Sequence, residues 1–441
     1  MGYKLYRERY GVVANKYVES LRQSEELDGQ ALLNLQSERF VHFARHAIAQ
    51  VPYYRNWAKK NGFGSEDIRS LESLNLFPII DKTVVKTSPE RFIADNYKGQ
   101  YGLIKLATSG TTGTPLLITC DKNSRTHHYA FLSRLRRQYG LDSTSKRATL
   151  FGRIIMLPEQ NVPPFWRYDI AQRNLLMSSY HLSKANIPHY YRKLLSYKPE
   201  EIFSYPSSIM PIANYILENG LRKIPLKLLI TTAEPLPDYQ REILRSAFDA
   251  PIVNQYGCTE MAFFADETEN GEMRLHPEHG IAEVEVTSGE VVSEGVGEFI
   301  ATGLINYTMP LIRYRIGDTI SIRSIDVNKS GRNAYPRIMD MVGRTDDLIY
   351  RKDGTPVGRL DPVFKQNFSI KNAQIIQHEN FALEILVETG NGFDSRQKLQ
   401  LISAMKQRVG EELEVKITTT HVIEKSLNGK FRAVKSYVKF R

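Results

Sequence analysis

The chain has 441 residues, of which 41% are apolar and 24% are charged, and its formal net charge is +10. These values exclude collagen-like, coiled-coil and mainly disordered chains, and two cysteines cannot build a disulfide framework or a cysteine-rich zinc site. Because no apolar run reaches the roughly 20 residues that cross a membrane, and the basic residues form no nucleic-acid-binding motif, we expect a cytoplasmic protein with neither kind of partner.

The first fifty residues carry apolar side chains at three-to-four spacing, which predicts helices. From residue 101 onward, short apolar runs alternate with helical segments, as is typical of a parallel sheet flanked by helices. We predict strands at 101–106, 116–119, 148–151, 202–205, 226–231 and 252–254. Between them we predict helices, including one that begins after an N-cap at Asp121 and ends near Tyr139, and another at 237–248.

The pattern changes near residue 282, where apolar and polar residues begin to alternate. Segments 282–286 and 297–302 have the two-residue period of antiparallel strands. In the last hundred residues we predict strands at 374–378, 382–387 and 414–419 and a helix at 395–409. The chain is therefore predicted to be an α/β protein that ends in a smaller α+β unit.

A loop of hydroxyl and glycine residues, Thr108 to Pro115, lies between two predicted strands. Glycines let backbone N–H groups converge on an anion, and the hydroxyl groups add further donors, so the loop is suited to a polyphosphate. It is not a Walker A loop, because Gly113 is followed by Thr114 and not by lysine. On composition alone, an ordinary polar hairpin is an equal alternative.

Four further segments carry polar residues where strands of the sheet are expected to end. Ligands of α/β sheets bind beyond the carboxyl ends of the strands, so these segments are candidates for one common site. A single carboxylate such as Glu260 or Asp318 is ordinarily a solvated loop residue, and it is the combination that points to a function. The four segments are 232–235, 256–260, 314–318 and 343–347.

In this order the segments resemble the signatures of the adenylate-forming (ANL) superfamily. The branch is that of phenylacetate–CoA ligases, CapK-type polysaccharide biosynthesis proteins and coenzyme F390 synthetases, and segments 40–54 and 77–82 look like its opening segments. The resemblance implies an α/β fold with mostly parallel sheets in a large N-terminal AMP-binding domain, 1–345, which includes a β-rich subdomain at about 282–345. It also implies a small mobile α+β lid, 346–441, with its hinge at Asp346.

The resemblance also implies a role for each motif in binding ATP. The β- and γ-phosphates would be held by the loop residues Ser109, Gly110, Thr111, Thr112, Gly113 and Thr114. Adenine would contact Ala233, Glu234 and Pro235. It would also stack on the ring of Tyr256, which is followed by Gly257 in the same motif. The ribose hydroxyls would bind Asp318, and Arg344 would lie near the ribose and phosphate.

The same resemblance picks out the residues of the reaction. Thr259 would contact the α-phosphate, Glu260 would hold Mg²⁺, and Lys430, in a C-terminal motif at 427–432, would reach the α-phosphate. A carboxylate that attacks this phosphate approaches an anion, so charge neutralisation is the main task of the site. No protein base is needed, because the carboxylate is already ionised at pH 7. Tyr205 and Ser207 are candidates for lining the acyl pocket.

Two departures from the superfamily bear on the substrates. Thr114 stands where the loop usually has lysine, so phosphate binding would rest more on backbone donors, or on Lys122. The segment 352–361 lacks the glycine-rich sequence that helps the thiol approach in CoA ligases and looks like CapK-type proteins, which puts CoA as a cofactor in doubt.

We therefore expect an ATP- and Mg²⁺-dependent ligase that forms an acyl-adenylate from a small carboxylic acid. The acyl group would pass to an amine in surface-polysaccharide biosynthesis, with an acyl-CoA synthetase that uses CoA as the alternative. An F390-type adenylyltransferase and a non-catalytic ATP-binding protein are further alternatives. The oligomeric state is open between a monomer and a homodimer.

Overall fold

The computed structural model describes residues 2–107, 116–152, 155–157, 159–344, 349–352, 356–357, 360–364, 370–389, 393–424 and 432–438. The chain divides into two compact units, each made of two chain segments. The first unit combines Met1–Thr144 with Gln255–Asp340, and the second combines Ser145–Asn254 with Met341–Arg441. Among the described helices, none is both long enough and apolar enough to span a bilayer.

The first unit opens with helices, as the apolar spacing predicts. They are α1 (Gly2–Tyr10), α2 (Val12–Ser24), α3 (Gly29–Gln50), α4 (Pro52–Asn61), α5 (Lys82–Thr87) and α6 (Lys122–Gln138), with 3₁₀ turns at Ser65–Asp67, Leu71–Leu76, Pro89–Phe92 and Asp95–Tyr97. The predicted N-cap of α6 is confirmed, since Oδ1 of Asp121 accepts a hydrogen bond from the Ser124 N–H at 2.9 Å. Before α6, β1 (Ile104–Ala107) and β2 (Leu117–Cys120) pair antiparallel.

The first segment of the second unit contains the predicted parallel sheet. Its strands are β3 (Arg147–Phe151), β4 (Trp166–Asp169), β5 (Asn174–Ser178), β6 (Glu201–Ser204), β7 (Ile224–Pro225), β8 (Leu228–Thr232) and β9 (Phe248–Asp249). Its helices are α7 (Ile187–Tyr197), α8 (Pro206–Glu218) and α9 (Asp238–Ala247). Strands β8, β6, β3 and β5 are parallel neighbours in that order, and β4 pairs antiparallel with β5. The carboxyl ends of the parallel strands therefore lie along one edge.

The chain then returns to the first unit, where the structure is mainly antiparallel. It enters this unit within β10 (Ile252–Gly257) and leaves it within β17 (Arg337–Arg344). The strands between them are β11 (Phe264–Glu267), β12 (Met273–Leu275), β13 (Gly280–Glu285), β14 (Val291–Val292), β15 (Gly295–Gly303) and β16 (Tyr314–Arg323), with a 3₁₀ turn at Gly331–Ala334. Strands β13, β15 and β16 pair antiparallel in sequence order. The alternation near residue 282 thus predicted these strands correctly.

The last segment, in the second unit, is a small α+β body. Its elements are β18 (Ile349–Tyr350), β19 (Pro356–Val357), a 3₁₀ turn at Asp361–Phe364, β20 (Ile370–Gln377), β21 (Leu383–Thr389), α10 (Ser395–Val409), β22 (Val415–Thr420) and β23 (Val434–Ser436). The strand order is β22-β21-β20-β23, and α10 has the bounds that the sequence predicts. The buried side chains of Leu401 and Met405 on α10 belong to one core with Ile385 and Ile417 of the sheet.

Candidate active site

The segment 256–260 comprises the last two residues of β10 and the start of the turn that follows it. Tyr256 pairs with Ala265 of β11, so the chain reverses within a few residues. Met261 takes a positive φ of 56° and donates its N–H to the Cys258 carbonyl at 3.2 Å. A Cβ on Gly280 would lie 2.3 Å from the carbonyl oxygen of Ala262, so a larger residue there would displace the backbone behind Thr259 and Glu260. Close packing of β13 therefore fixes this turn.

Tyr256 and Asp318 meet although they come from different strands. The Tyr256 hydroxyl donates a hydrogen bond to Oδ2 of Asp318, which lies on β16. The Tyr256 ring packs against the ring of Phe263, with centroids 4.6 Å apart. The Asp318 side chain is largely buried, so a carboxylate in this position depends on hydrogen-bond donors. The residues expected at adenine and at ribose thus form one pair.

Glu260 is held by a tyrosine to which the sequence assigned no role. The Tyr314 hydroxyl donates to Oε1 of Glu260 at 3.2 Å. Burial, together with the negative charge of Glu260, raises the pKa of Tyr314 far above its ordinary value. The phenol therefore stays protonated and acts as a donor at any physiological pH. A hydrogen bond from a fixed donor orients the carboxylate that the sequence predicts to bind Mg²⁺.

The start of β16 is fixed by the segment that precedes α5. The Ile80 N–H donates to the Arg313 carbonyl at 3.0 Å, and the Arg315 N–H donates to the Ile80 carbonyl at 2.9 Å. Between Tyr314 and Asp318 the chain passes through Gly317, whose φ of 84° favours glycine. One short stretch of backbone thereby positions both the Tyr314 hydroxyl, which donates to Glu260, and the Asp318 carboxylate, which accepts from Tyr256.

Cys258 lies inside this turn as a half-buried residue with a free thiol. The Ala262 N–H points at its Sγ at 3.4 Å. Burial and the nearby charge of Glu260 raise the pKa of the thiol well above its usual range. Since the thiolate is the nucleophilic form, this environment favours a packing role for Cys258 over a nucleophilic one.

In the second unit, the predicted adenine and acyl-pocket segments follow two adjacent strands. Glu234 comes after β8, and Ser207 lies in the first turn of α8, which follows β6. Glu234 accepts hydrogen bonds from both the N–H and the Oγ of Ser207, each at 2.9 Å. The Tyr205 ring packs edge-on against Phe151, with centroids 5.2 Å apart. Glu234 thus caps α8, a role that the sequence analysis did not foresee.

The backbone of the adenine segment turns sharply at the end of β8. Ala233 has a φ of 65°, in the left-handed region that L residues seldom adopt, and both Ala233 and Pro235 are exposed. A buried Glu234 between two exposed residues follows from this turn. The exposed pair is therefore the part of the segment that a ligand can reach.

The other predicted site residues are only partly covered by the structure. Arg344 is the last residue of β17. Ser109, Gly110, Thr111, Thr112, Gly113 and Thr114, as well as Asp346 and Lys430, lie outside the described residues. Within the described part of the chain, no three His, Cys, Asp or Glu side chains form a metal-binding group. A single carboxylate such as Glu260 still fits Mg²⁺, which takes oxygen ligands and commonly binds one or two carboxylates plus substrate phosphates.

Comparison with known proteins identifies relatives of the chain. The family of the CapK C-terminal domain matches residues 349–437. Protein CapK of Staphylococcus aureus is 29% identical over 339 residues, which are 76% of this chain and 73% of that protein. A phenylacetate-coenzyme A ligase of Thermus thermophilus is 25% identical over 354 residues, 74% of this chain and 73% of that protein.

One further relative and one solved structure are also similar to this chain. The indoleacetate–lysine synthetase of Pseudomonas savastanoi is 31% identical over 235 residues, 52% of either chain. The crystal structure of 2-hydroxyisobutyryl-CoA ligase, in the postadenylation state with R3-HIB-AMP, has the same fold. Its TM-score is 0.70 at 18% identity, over 92% of this chain and 89% of that chain. The chain belongs to the adenylate-forming (ANL) superfamily of AMP-forming ligases, in the branch of the CapK-type proteins and the phenylacetate–CoA ligases.

Proposed function

We propose that this ligase activates a carboxylic acid with ATP and then passes the acyl group to an amine. In the first step a carboxylate oxygen attacks the α-phosphorus, the bond to the bridging oxygen breaks, and pyrophosphate leaves. In the second step the amine nitrogen attacks the acyl carbon, the bond to the AMP oxygen breaks, and the amine gives up a proton. The observation that carries the proposal is the side-by-side placement of the Tyr256–Asp318 and Tyr314–Glu260 pairs around β10 and β16.

The two pairs suit the two ends of a bound nucleoside phosphate. Asp318 is a carboxylate already engaged by one hydroxyl, so ribose hydroxyls are natural further donors to it. Tyr256 offers a ring for stacking on adenine. Glu260, with Thr259 beside it, would bind Mg²⁺, which neutralises the charge that develops on the phosphates. In this proposal Arg344, the loop 109–114, and the segment 233–235 complete the nucleotide site, with Tyr205 and Ser207 near the acid.

The lysine of the C-terminal domain completes the first step. We propose that Lys430 neutralises the α-phosphate as the carboxylate attacks, in addition to the positive charges that Mg²⁺ and Arg344 would supply. The domain 346–441 would then rotate about Asp346 and bring another surface to the adenylate. Hinge closure of this kind excludes water and assembles the site in turn for each half-reaction. The domain limits, 1–345 and 346–441, belong to the same proposal.

Two observations favour an amine over CoA as the acceptor. The relative from Pseudomonas savastanoi is named as a synthetase that joins an acid to lysine, and lysine offers an amine. The segment 352–361 lacks the glycine-rich sequence expected where a thiol approaches the adenylate. The likeness to CapK supports an acceptor in surface-polysaccharide biosynthesis. The phenylacetate-coenzyme A ligases among the relatives keep CoA as the second candidate.

Pyrophosphate release from ATP across a panel of carboxylic acids tests the proposal. Each acid is assayed with Mg²⁺, first without an acceptor, then with amino sugars and amino acids, and then with CoA. We expect one class of acid to support release and an amine to accelerate it. Acceleration by CoA alone would replace the amine by a thiol. AMP that stays on the substrate would indicate the F390-type reaction, and ATP binding without release would favour a non-catalytic protein.

A further inference from the structure

Strand β4 forms an exposed edge of the sheet in the second unit. It pairs with β5 on one side, and among the described residues no strand pairs with its other side. Tyr168 is 48% exposed, and Ile170, which follows the strand, is 79% exposed. An edge strand with exposed apolar side chains is a template for pairing with another strand.

The hydrogen-bond pattern shows which backbone groups of β4 face outward. The Ser178 N–H donates to the Phe165 carbonyl at 3.0 Å, so these two residues form a hydrogen-bonded pair of the antiparallel ladder. The pairs then alternate along the strands, so Arg167 and Asp169 also bond to β5. The N–H and C=O groups of Tyr168 therefore point away from β5, toward the open side.

The residues of β4 are complementary to their own sequence read in reverse. If a second β4 lies antiparallel with a twofold axis at Tyr168, then Tyr168 faces Tyr168 of the other copy. In this register Arg167 of each copy faces Asp169 of the other, as a non-hydrogen-bonded pair whose side chains are closest. On the opposite face, the half-buried Trp166 faces the exposed Ile170.

We propose that β4 pairs with β4 of a second copy of this chain, in the register centred on Tyr168, and so forms a symmetric dimer. Opposite charges and apolar side chains match at every position of this register. Self-pairing with a twofold axis also leaves no further free edge at β4, so the assembly closes at two copies. Because the strand has four residues, the interface is small and the dimer dissociates on dilution.

Sedimentation of charge variants tests the register. In Arg167→Asp both facing residues are acidic, and in Asp169→Arg both are basic, so each variant alone should sediment as a monomer at concentrations where the wild type is a dimer. An equimolar mixture of the two variants should sediment as a dimer. In the mixed dimer, both acidic side chains of one variant, at positions 167 and 169, face the basic side chains of the other variant. A wild type that stays monomeric, variants that still dimerise alone, or a mixture that stays monomeric would each overturn the proposal.

A disulfide test covers the possibility that Asp169→Arg disturbs the turn, since Asp169 accepts hydrogen bonds from the backbone and the side chain of Gln172. Tyr168→Cys places two cysteines at the axis, about 5.5 Å apart between their Cα atoms, within the range of a disulfide. Ile170→Cys is the matched control, because the two copies of residue 170 lie roughly 13 Å apart, four residues along the strand. Oxidation should link the first variant only, and equal linking of both, or of neither, would contradict the register.

Discussion

Tyr256 donates its hydroxyl hydrogen to Oδ2 of Asp318, a residue 62 positions away in the chain. The contact joins the end of β10 to β16, and it joins the two side chains that we propose for adenine and ribose. A buried carboxylate with a hydroxyl donor is stable without a ligand, yet it can accept further hydrogen bonds from a diol. In the proposed site, the pair therefore links the folding of this region to the binding of ATP.

The first prediction concerns this pair. Asp318→Ala should weaken ATP binding about tenfold or more, because a hydrogen bond to a charged group contributes about 1.5–3 kcal/mol. Tyr256→Phe keeps the ring against Phe263 and should lower the free energy of unfolding by about 1.5–3 kcal/mol, because it removes the hydroxyl donor to the same carboxylate. Calorimetric titration with ATP measures the first effect and urea unfolding the second. Wild-type ATP affinity in Asp318→Ala would remove Asp318 from the ribose site.

The second prediction separates the charge of Glu260 from its shape. Glu260→Gln keeps an oxygen for the Tyr314 hydroxyl but loses the negative charge that would bind Mg²⁺. We expect pyrophosphate release to fall about 100-fold or more, the size of effect seen when a group that stabilises transition-state charge is removed. Tyr314→Phe is the matched control, because it keeps the charge and should lose far less activity. A Gln variant with the wild-type rate at saturating Mg²⁺ would contradict the assignment.

Local sequence signals predicted much of the secondary structure. The cap at Asp121 and the helix Ser395–Val409 follow from side-chain chemistry within a single element, and both are found. The hairpin of β4 and β5 was not predicted. Its strands have four and five residues, and β5 reads Asn-Leu-Leu-Met-Ser, whose leucines and methionine are good helix formers. Only its position beside β3 makes this segment a strand.

In the candidate site, the sequence predicted which residues take part but not which of them contact each other. Family signatures pointed to Tyr256, Glu260 and Asp318, and the structure adds which hydroxyl meets which carboxylate. Tyr314 as the partner of Glu260 depends on the register of β16, and Ser207 as the partner of Glu234 depends on β6 lying beside β8. Such contacts join distant residues, so no spacing rule within the sequence could predict them.

The third prediction concerns a buried ion pair in the first unit. Nη1 of Arg134 lies 2.6 Å from Oε1 of Glu278, and both side chains are buried. Burial opposes ionisation of Glu278, but the guanidinium outweighs it and holds the pKa of the carboxyl well below its usual value. The Glu278 oxygen also accepts hydrogen bonds from Ser24 and Tyr335. One carboxylate thereby connects α2, α6 and the segment before β13.

Arg134→Met should lower the free energy of unfolding by about 3–5 kcal/mol, because it leaves the Glu278 charge buried without its cation. Glu278→Gln removes the charge in turn, and the double variant should lose less than the sum of the two single losses. Urea unfolding of the four proteins measures the coupling. Additive losses would show that the two side chains contribute independently, contrary to the expected ion pair.

The fourth prediction concerns pH and a histidine held in its neutral form. His127 stacks on Tyr17, with centroids 4.2 Å apart and planes at 8°. Burial, aided by the charge of Arg39, lowers the pKa of His127 to about 3. In the unfolded chain this histidine therefore binds a proton near pH 6.5, whereas in the folded chain it stays neutral down to about pH 3. The free energy of unfolding thus falls by about 1.4 kcal/mol per pH unit, because of this histidine, as the pH falls from about 6.5 toward 3.

His127→Phe should keep the ring stack and lose this titration. We expect its free energy of unfolding near pH 7.5 to match that of the wild type. In acid, this free energy should fall less steeply with pH than in the wild type, by the slope that one bound proton contributes, about 1.4 kcal/mol per pH unit. Other histidines, such as the half-buried His128, whose pKa desolvation lowers to about 4, titrate equally in both proteins and cancel in the difference. Urea unfolding at several pH values between 7.5 and 5 gives the slopes. Parallel slopes would show that His127 is protonated in the folded protein.

The fifth prediction concerns Lys430 and separates the two half-reactions. Lys430→Ala should slow pyrophosphate release about 100-fold or more, because the attacking carboxylate would meet an α-phosphate that lacks its ammonium partner. Transfer from a preformed acyl-adenylate to the acceptor should be unchanged, since pyrophosphate has already left. Lys435→Ala, in the nearby strand β23, is the matched control for loss of one positive charge and should leave both steps intact.

The proposed hinge at Asp346 predicts a different loss, in which one half-reaction persists and the change between the two states is blocked. A proline at position 346 restricts the backbone of its own residue and of the one before it, so Asp346→Pro should stop the rotation between the two half-reactions. Whichever state the proline favours, one half-reaction should persist while full turnover fails, whereas Lys430→Ala should spare transfer alone. Equal loss of both steps in Lys430→Ala would mean that this lysine supports the whole domain and does not act on the phosphate. Wild-type turnover in Asp346→Pro would place the rotation at another residue.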